Sequence, residues 1–194
     1  MAVLQKLQKE NPSNISIYNC EQNGGKAEAV RQGILNLVKD EQFDYIGDLS
    51  TDFRDFDDLV KTIEQSDFKI VSGSRISRMG ANITKESARK VISMTINFII
   101  QTILGMPFKD TQCGAKVMDR EVASKMFNKK FVTKWLFDVE LFMRMKKYFG
   151  KTEVKSMICE QPLKRWIHAD GSKLSMKDSV KIVGQLAQIA VHYR

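Results

Sequence analysis

Between residues 43 and 75 the hydrophobic pattern changes period twice. Phe43 to Ile46 reads as a strand, and 54–65 places Phe56, Leu59, Val60 and Ile63 on one helical face. Phe68 to Val71 then reads as a second strand that runs into Gly73-Ser74-Arg75. Parallel neighbours need a crossover of a dozen or more residues, usually a helix, whereas antiparallel neighbours can be joined by a tight turn. The pattern therefore predicts an α/β chain with a mostly parallel sheet and flanking helices. With 194 residues, 43% of them hydrophobic, the chain can bury one sizeable core, so residues 1–194 are expected to form a single domain.

The flanking segments extend the same architecture. Residues 2–10 read as a short helix and Ile15 to Tyr18 as a further strand. Asn23-Gly24-Gly25-Lys26 turns into a helix with the stripe Ala27, Val30, Ile34, Leu37 and Val38. A glycine-rich turn with a Lys at a helix start is either a phosphate cradle or only a helix-starting turn. A long helix over roughly 84–104 carries Arg89, Ser93 and Asn97 at i, i+4 and i+8 within an apolar background. Lys116-Val117-Met118 reads as a strand edge, 120–127 and 135–148 as helices, and Glu153 to Cys159 as a strand. An amphipathic helix closes the chain over 174–194, with the stripe Met176, Val180, Val183, Ala187 and Val191. That stripe either docks on the domain or forms a weak membrane foot.

Chemistry concentrates at Asp110-Thr111-Gln112-Cys113-Gly114-Ala115-Lys116, which has neither helical nor alternating period. An acid, an amide and a base around a glycine suit either an ionic ligand or a tight solvated turn. Asp138 and Glu140 lie inside an apolar helix pattern, where an unpaired acid would be costly. Asp48 and Arg75 stand at strand ends, the edge where open α/β sheets bind ligands. A basic loop with Trp166 and Gly171-Ser172-Lys173 follows the last strand.

Taken in order, these motifs resemble the inverting family-two glycosyltransferases, in the polyprenyl-phosphate (dolichyl-phosphate) sugar transferase branch. The resemblance rests on Asn23-x-Gly25-Lys26-x-x-Ala29-Val30-Arg31-x-Gly33, Asp48-Leu49-Ser50 and Gly73-Ser74-Arg75. It continues through Arg89, Ser93 and Asn97, Asp110-Thr111-Gln112-Cys113-Gly114-x-Lys116, Phe137-Asp138-Val139-Glu140-Leu141 and Gly171-Ser172-Lys173. It implies a GT-A fold, a nucleoside-diphosphate sugar donor, a polyprenyl phosphate acceptor, and Mg²⁺ or Mn²⁺ as cofactor. By the same resemblance, Asp110, Gln112 and Asp48 are catalytic, with Asp48 also the metal ligand. Lys26, Arg31, Arg75, Arg89, Ser93 and Lys173 would hold donor and phosphate groups. Asp138, Glu140 and Trp166 would line the sugar and acceptor pocket. The family's usual first strands and its complete Asp-x-Asp motif have no counterpart here, which implies an N-terminally shortened form. The alternative is a non-catalytic module of the same fold that binds lipid phosphate or a protein partner.

The charge agrees with anionic partners. A net charge of +8, spread along the chain, favours phosphorylated ligands or a membrane surface. No nucleic-acid reader motif is recognisable, so nucleic acid is not expected as a partner. The three cysteines are far apart and lack a C-x-x-C pair, which argues against a disulfide framework and for a reducing compartment. No signal peptide or spanning segment is evident, so the expected location is cytoplasmic, peripheral to the inner face of a membrane.

Overall fold

The computed structural model describes residues 2–48, 51–75, 87–165 and 176–194. In chain order the elements are α1 (Ala2–Glu10), α2 (Lys26–Leu37), β1 (Tyr45–Asp48), α3 (Phe53–Glu64), β2 (Ile70–Ser74), α4 (Ser87–Leu104), β3 (Lys116–Asp119), α5 (Arg120–Phe127), α6 (Phe137–Phe149), β4 (Ile158–Pro162) and α7 (Met176–His192). The four strands form one sheet in the order β1-β3-β2-β4. Strand β3 runs antiparallel to both its neighbours, whereas β2 and β4 pair in parallel. Three of the four strands therefore share a direction, and one is inserted against them.

The insertion decides the geometry of the site. Lys116–Asp119 lies between β1 and β2 rather than at an edge, and its register sets Lys116 opposite both Asp48 and Ser72. All five residues of β2 are buried, as befits a strand covered on both faces. Alternation along the strands divides the core in two. Ile70 and Met118 belong to a cluster with Phe127, Phe142 and Leu186, while Val71 and Val117 belong to one with Leu59 and Ile63 of α3. A fully buried side chain of this size contributes about 1.5–3 kcal/mol.

Four local expectations are corrected. Ile15 to Tyr18 forms no ladder, because alternation over four residues stabilises nothing without a neighbouring strand to bond. Glu153–Ser156 is a 3-10 turn anchored by the buried Val154, and the strand starts only at Ile158. The strand edge predicted at Lys116 is an interior strand. In α7 the docking face is Leu186 and Ile189, which are fully buried, with Ile182 and Tyr193 packed beside them. Val180, Val183 and Val191 of the predicted stripe are exposed instead. Two apolar rows share this helix, and periodicity alone does not say which one meets the domain.

Candidate functional site

Because β3 runs against β1 and β2, its first residue meets their last ones. The loop 109–115, which enters β3, therefore sits at the carboxyl end of β1 and β2. Each stretch of this loop is held by a different element. Asn97 and Gln101 of α4 donate to the Phe108 carbonyl at 3.3 and 2.5 Å. The Glu160 carboxylate on β4 accepts from Lys109 N and Asp110 N, the latter at 2.6 Å. Ala115 O accepts from Gly73 N at 2.7 Å. Lys116 Nζ donates to the carbonyls of Thr111 and Cys113.

Two ion pairs dominate the electrostatics. Arg75 grips Asp110 with both ends of its fork: Nε to Oδ2 and Nη2 to Oδ1, each at 2.7 Å, with Arg75 N on Oδ2 at 2.9 Å. Burial pushes the Asp110 carboxyl up, but the Arg75 guanidinium and, more weakly, Lys116 outweigh it and hold the group below the usual carboxylate range. Arg75 is correspondingly raised, chiefly by its bond to Asp110. Below this pair, Lys116 Nζ stands 2.8 Å from Asp138 Oδ1 on α6. That contact is ionic rather than a well-aligned hydrogen bond, since Asp138 Oδ1 has no hydrogen-bond partner. The Cys113 thiol is pushed up by burial, so it is no ready nucleophile.

Around the loop, Ser74 Oγ, Thr111 Oγ1 and Gln112 Nε2 are buried and lack hydrogen-bond partners among the described residues. Native interiors leave few such groups, and a cluster of them beside an Arg–Asp pair marks a place where a polar ligand could complete the bonding. The described groove of about 280 Å³, lined by Phe43, Tyr45, Gly47, Phe56 and Val60, lies elsewhere, along the outer side of β1. It is a mainly apolar sheet edge, with Gln42, Asp44 and Glu64 as its polar lining, and none of the predicted site residues belongs to it.

The predicted site residues separate into four groups. Arg75 and Asp110 are in direct contact at the strand ends, Gln112 lies two residues further along the same loop, and Asp48 ends β1 opposite Lys116. Lys26 is exposed at the start of α2, its ammonium over the Phe137 and Trp135 rings at 5.3 and 5.9 Å. The geometry assigns other tasks to Arg31, Asp138 and Glu140. Arg31 is bound to Glu28 at 2.8 Å and to the carbonyls of Phe127 and Asn128, which ties α2 to the end of α5. Asp138 is the counter-ion of Lys116. Glu140 is fully buried and accepts from Val132 N, Thr133 N, Thr133 Oγ1 and Tyr193 Oη, fastening the chain end to α6. Trp166, Lys173, the loop 76–83 and the side chains of Arg89 and Ser93 lie outside the described residues.

Two acids that fasten the backbone near these strand ends escaped the sequence reading. Glu160 is a lone acid in a strand between Cys159 and Gln161, and that isolation was the available signal. Asp55 was hidden within an ordinary amphipathic helix. Its buried carboxylate accepts from Lys164 N, Arg165 N and Arg165 Nη1, fixing the exit of β4 towards the segment with Trp166 and Lys173.

A divalent cation is compatible with one carboxylate here but not with an all-protein cage. No cluster of three or more His, Cys, Asp or Glu ligands occurs among the described residues. Asp52 is committed to Arg54 and to the first turn of α3, which leaves Asp48 as the acid at the strand end. Mg²⁺ commonly takes one or two carboxylates and completes its shell with substrate phosphates and water, so Asp48 fits that kind of site.

No family model matches the chain. In sequence it is 30% identical over 198 residues to a dolichyl-phosphate beta-glucosyltransferase of Dictyostelium discoideum, covering 98% of this chain and 58% of that protein. It is 30% identical over 173 residues to the Drosophila melanogaster enzyme of the same name, covering 86% of this chain and 51% of the relative. The human protein of that name is 29% identical over the same share of each chain. The chain thus spans between about half and three-fifths of the length of the curated relatives it matches. Among solved structures, glucosyl-3-phosphoglycerate synthase from Mycobacterium tuberculosis superposes with TM-scores of 0.54 (with uridine diphosphate) and 0.56 (with phosphoglyceric acid). These cover 95% and 96% of this chain and 59% of the synthase, at 13% and 14% identity, a likeness of fold.

Proposed function

We propose that this chain, a member of the family-two glycosyltransferases in the dolichyl-phosphate sugar transferase branch, forms part of an enzyme that moves glucose from a nucleoside-diphosphate sugar to a polyprenyl phosphate with inversion. The observation that carries the reading is the Arg75–Asp110 pair, set among buried polar atoms without partners at the carboxyl ends of β1 and β2. Arg75 spends its fork on Asp110 and brings a fixed positive charge to the site, which favours anionic phosphate groups nearby. Gln112 supplies a buried amide donor that a sugar or phosphate oxygen could accept. Asp110, ionised and ion-paired, is a poor proton acceptor, and the reaction does not ask for a strong one. A phosphate monoester has its second pKa near about 6, so the lipid phosphate is already an anionic nucleophile at neutral pH. Asp48 would hold Mg²⁺ or Mn²⁺, which when bound neutralises the departing diphosphate.

Peripheral contact with the cytosolic face of a membrane belongs to the same reading. No helix among the described residues is long and apolar enough to cross a membrane. Yet α7 exposes Val180, Val183 and Val191, and its neighbour α4 exposes Met94 and Phe98. An amphipathic helix with such a face lies in the interface plane, and each basic residue near an anionic surface adds about 1 kcal/mol. The net charge of +8 is therefore assigned to phosphate and lipid rather than to nucleic acid.

The test incubates the chain with labelled nucleoside-diphosphate glucose, dolichyl phosphate in vesicles and Mg²⁺. The expected result is lipid-linked glucose, lost at least about tenfold in Arg75→Ala, as for removal of a charged hydrogen bond. A folded chain that neither forms product nor binds the sugar nucleotide in a calorimetric titration would overturn the reading.

A further inference from the structure

The loop that carries Asp110 has its backbone bound from below by one acid that no motif of the family reading includes. Glu160 Oε1 accepts from Asp110 N at 2.6 Å, and Oε2 accepts from Lys109 N at 2.9 Å. Glu160 stands on β4, paired with Ser72 of β2, and three residues further along β2 the chain reaches Arg75. One pair of parallel strands thus supplies both grips on Asp110: β4 takes its backbone and the end of β2 takes its side chain. Charge-assisted bonds from two consecutive amides fix the direction in which the next side chain leaves the backbone. A 1 Å error in that direction would separate the two 2.7 Å bonds to Arg75, and such bonds weaken steeply with distance.

We infer that Glu160 is a positioning residue, which acts through the Lys109 and Asp110 amides to hold the Asp110 carboxylate against Arg75. The inference rests on the reading of Asp110 as a group at the sugar and acceptor, but its test does not need transfer to occur. In Glu160→Gln the shape is kept, one acceptor becomes a donor facing a backbone N–H, and the charge is removed. Removing a nearby negative charge would by itself lower the Asp110 pKa, whereas losing the Arg75 grip would raise it. The two effects have opposite signs.

The measurement is the carboxyl titration of Asp110 by carbon NMR on the aspartate-labelled chain, with and without Glu160→Gln. The expected result is an upward shift of the Asp110 midpoint towards the ordinary carboxylate range, with the dispersion of the spectrum retained. A midpoint that stays or falls in a folded variant overturns the inference. Hydrogen exchange on the unaltered chain gives a check that needs no variant. The Lys109 and Asp110 amides are expected to exchange at least about tenfold more slowly than exposed loop amides. Exchange at the rate of open loops would refute the clamp, whatever the transfer assay shows.

Discussion

Lys116 Nζ and Asp138 Oδ1 stand 2.8 Å apart, with side-chain exposures of 2% and 3%. One charge comes from an interior strand and the other from the first turn of α6, so the pair joins the sheet to the helix layer beneath the Asp110 loop. Lys116 also bonds the carbonyls of Thr111 and Cys113, which makes it the only charged anchor this loop has from β3.

Breaking that pair on one side should leave the other charge buried and uncompensated. Lys116→Met or Asp138→Asn is expected to cost about 3–5 kcal/mol of stability. The double variant Lys116→Met/Asp138→Leu should recover a large part of the loss, because the isolated charge is gone. Urea unfolding of the three variants checks this. A double variant less stable than either single one would mean that the pair does more than neutralise itself.

A second prediction concerns Gly47 on β1. A Cβ there would meet Phe56 Cζ at 2.5 Å and the Lys116 carbonyl at 2.8 Å. The strand passes so close to both that a side chain does not fit without a shift, which is a physical reason for glycine at this position. Gly47→Ala is expected to destabilise by about 1–3 kcal/mol through overpacking. A thermal midpoint unchanged in Gly47→Ala would show that Phe56 yields without cost.

Stability should also fall with acid in a predictable order. Glu28 is held at about 2, well under its ordinary value of 4.5, chiefly by its hydrogen bond to Arg31. Asp110 is likewise depressed, since Arg75 outweighs its burial. A carboxylate depressed in the folded state binds fewer protons there than in the unfolded chain. Its contribution is therefore present above the unfolded value, near about 4, and is lost as the pH falls through the folded value. Unfolding measured from pH 5 down to pH 2 should show a steady loss of stability. In Arg31→Met the part due to Glu28 should shrink, since only Gln32 and Lys130 still favour its charged form, flattening the slope between pH 4.5 and about 2.

The two rows of α7 should respond oppositely to substitution. Leu186 is fully buried against the core, and Leu186→Ala is expected to cost about 2–5 kcal/mol. Val180 is 74% exposed, so Val180→Glu should change stability by no more than about 0.5 kcal/mol. The same substitution should reduce co-sedimentation with anionic vesicles at low salt, where the unaltered chain is expected to bind and to be released by added salt. If Val180→Glu binds vesicles as well as the unaltered chain, α7 is not the contact.

How much was legible in the sequence differs between elements. Helices α3 and α5, the strand after α3 and the Arg at its end followed from periodicity alone, because a period of 3.6 or 2 is a local property. Both strands, expected from Phe43 and Phe68, begin two residues later, at Tyr45 and Ile70, and Ile15 to Tyr18 was misread altogether, because strands exist only by pairing. The α7 stripe was misjudged for a related reason: two apolar rows compete, and the neighbours decide between them.

The sequence by itself determined the chemistry available and its rough location. Asp48, Arg75, Asp110 and Gln112 are polar groups at the ends of apolar runs, and the chain order alone places them near the edge where such sheets bind ligands. Tertiary structure decided which of the charged residues face that site and which support it. The antiparallel insertion of β3 brings Lys116 under the loop, pairs it with Asp138 and turns a predicted pocket acid into a counter-ion. Glu140 and Arg31 were reassigned in the same way, by local partners and by distant ones, Tyr193 for Glu140 and the Phe127 and Asn128 carbonyls for Arg31. A buried charge takes its role from whatever desolvates and pairs it, and those partners are brought near only when the chain has folded.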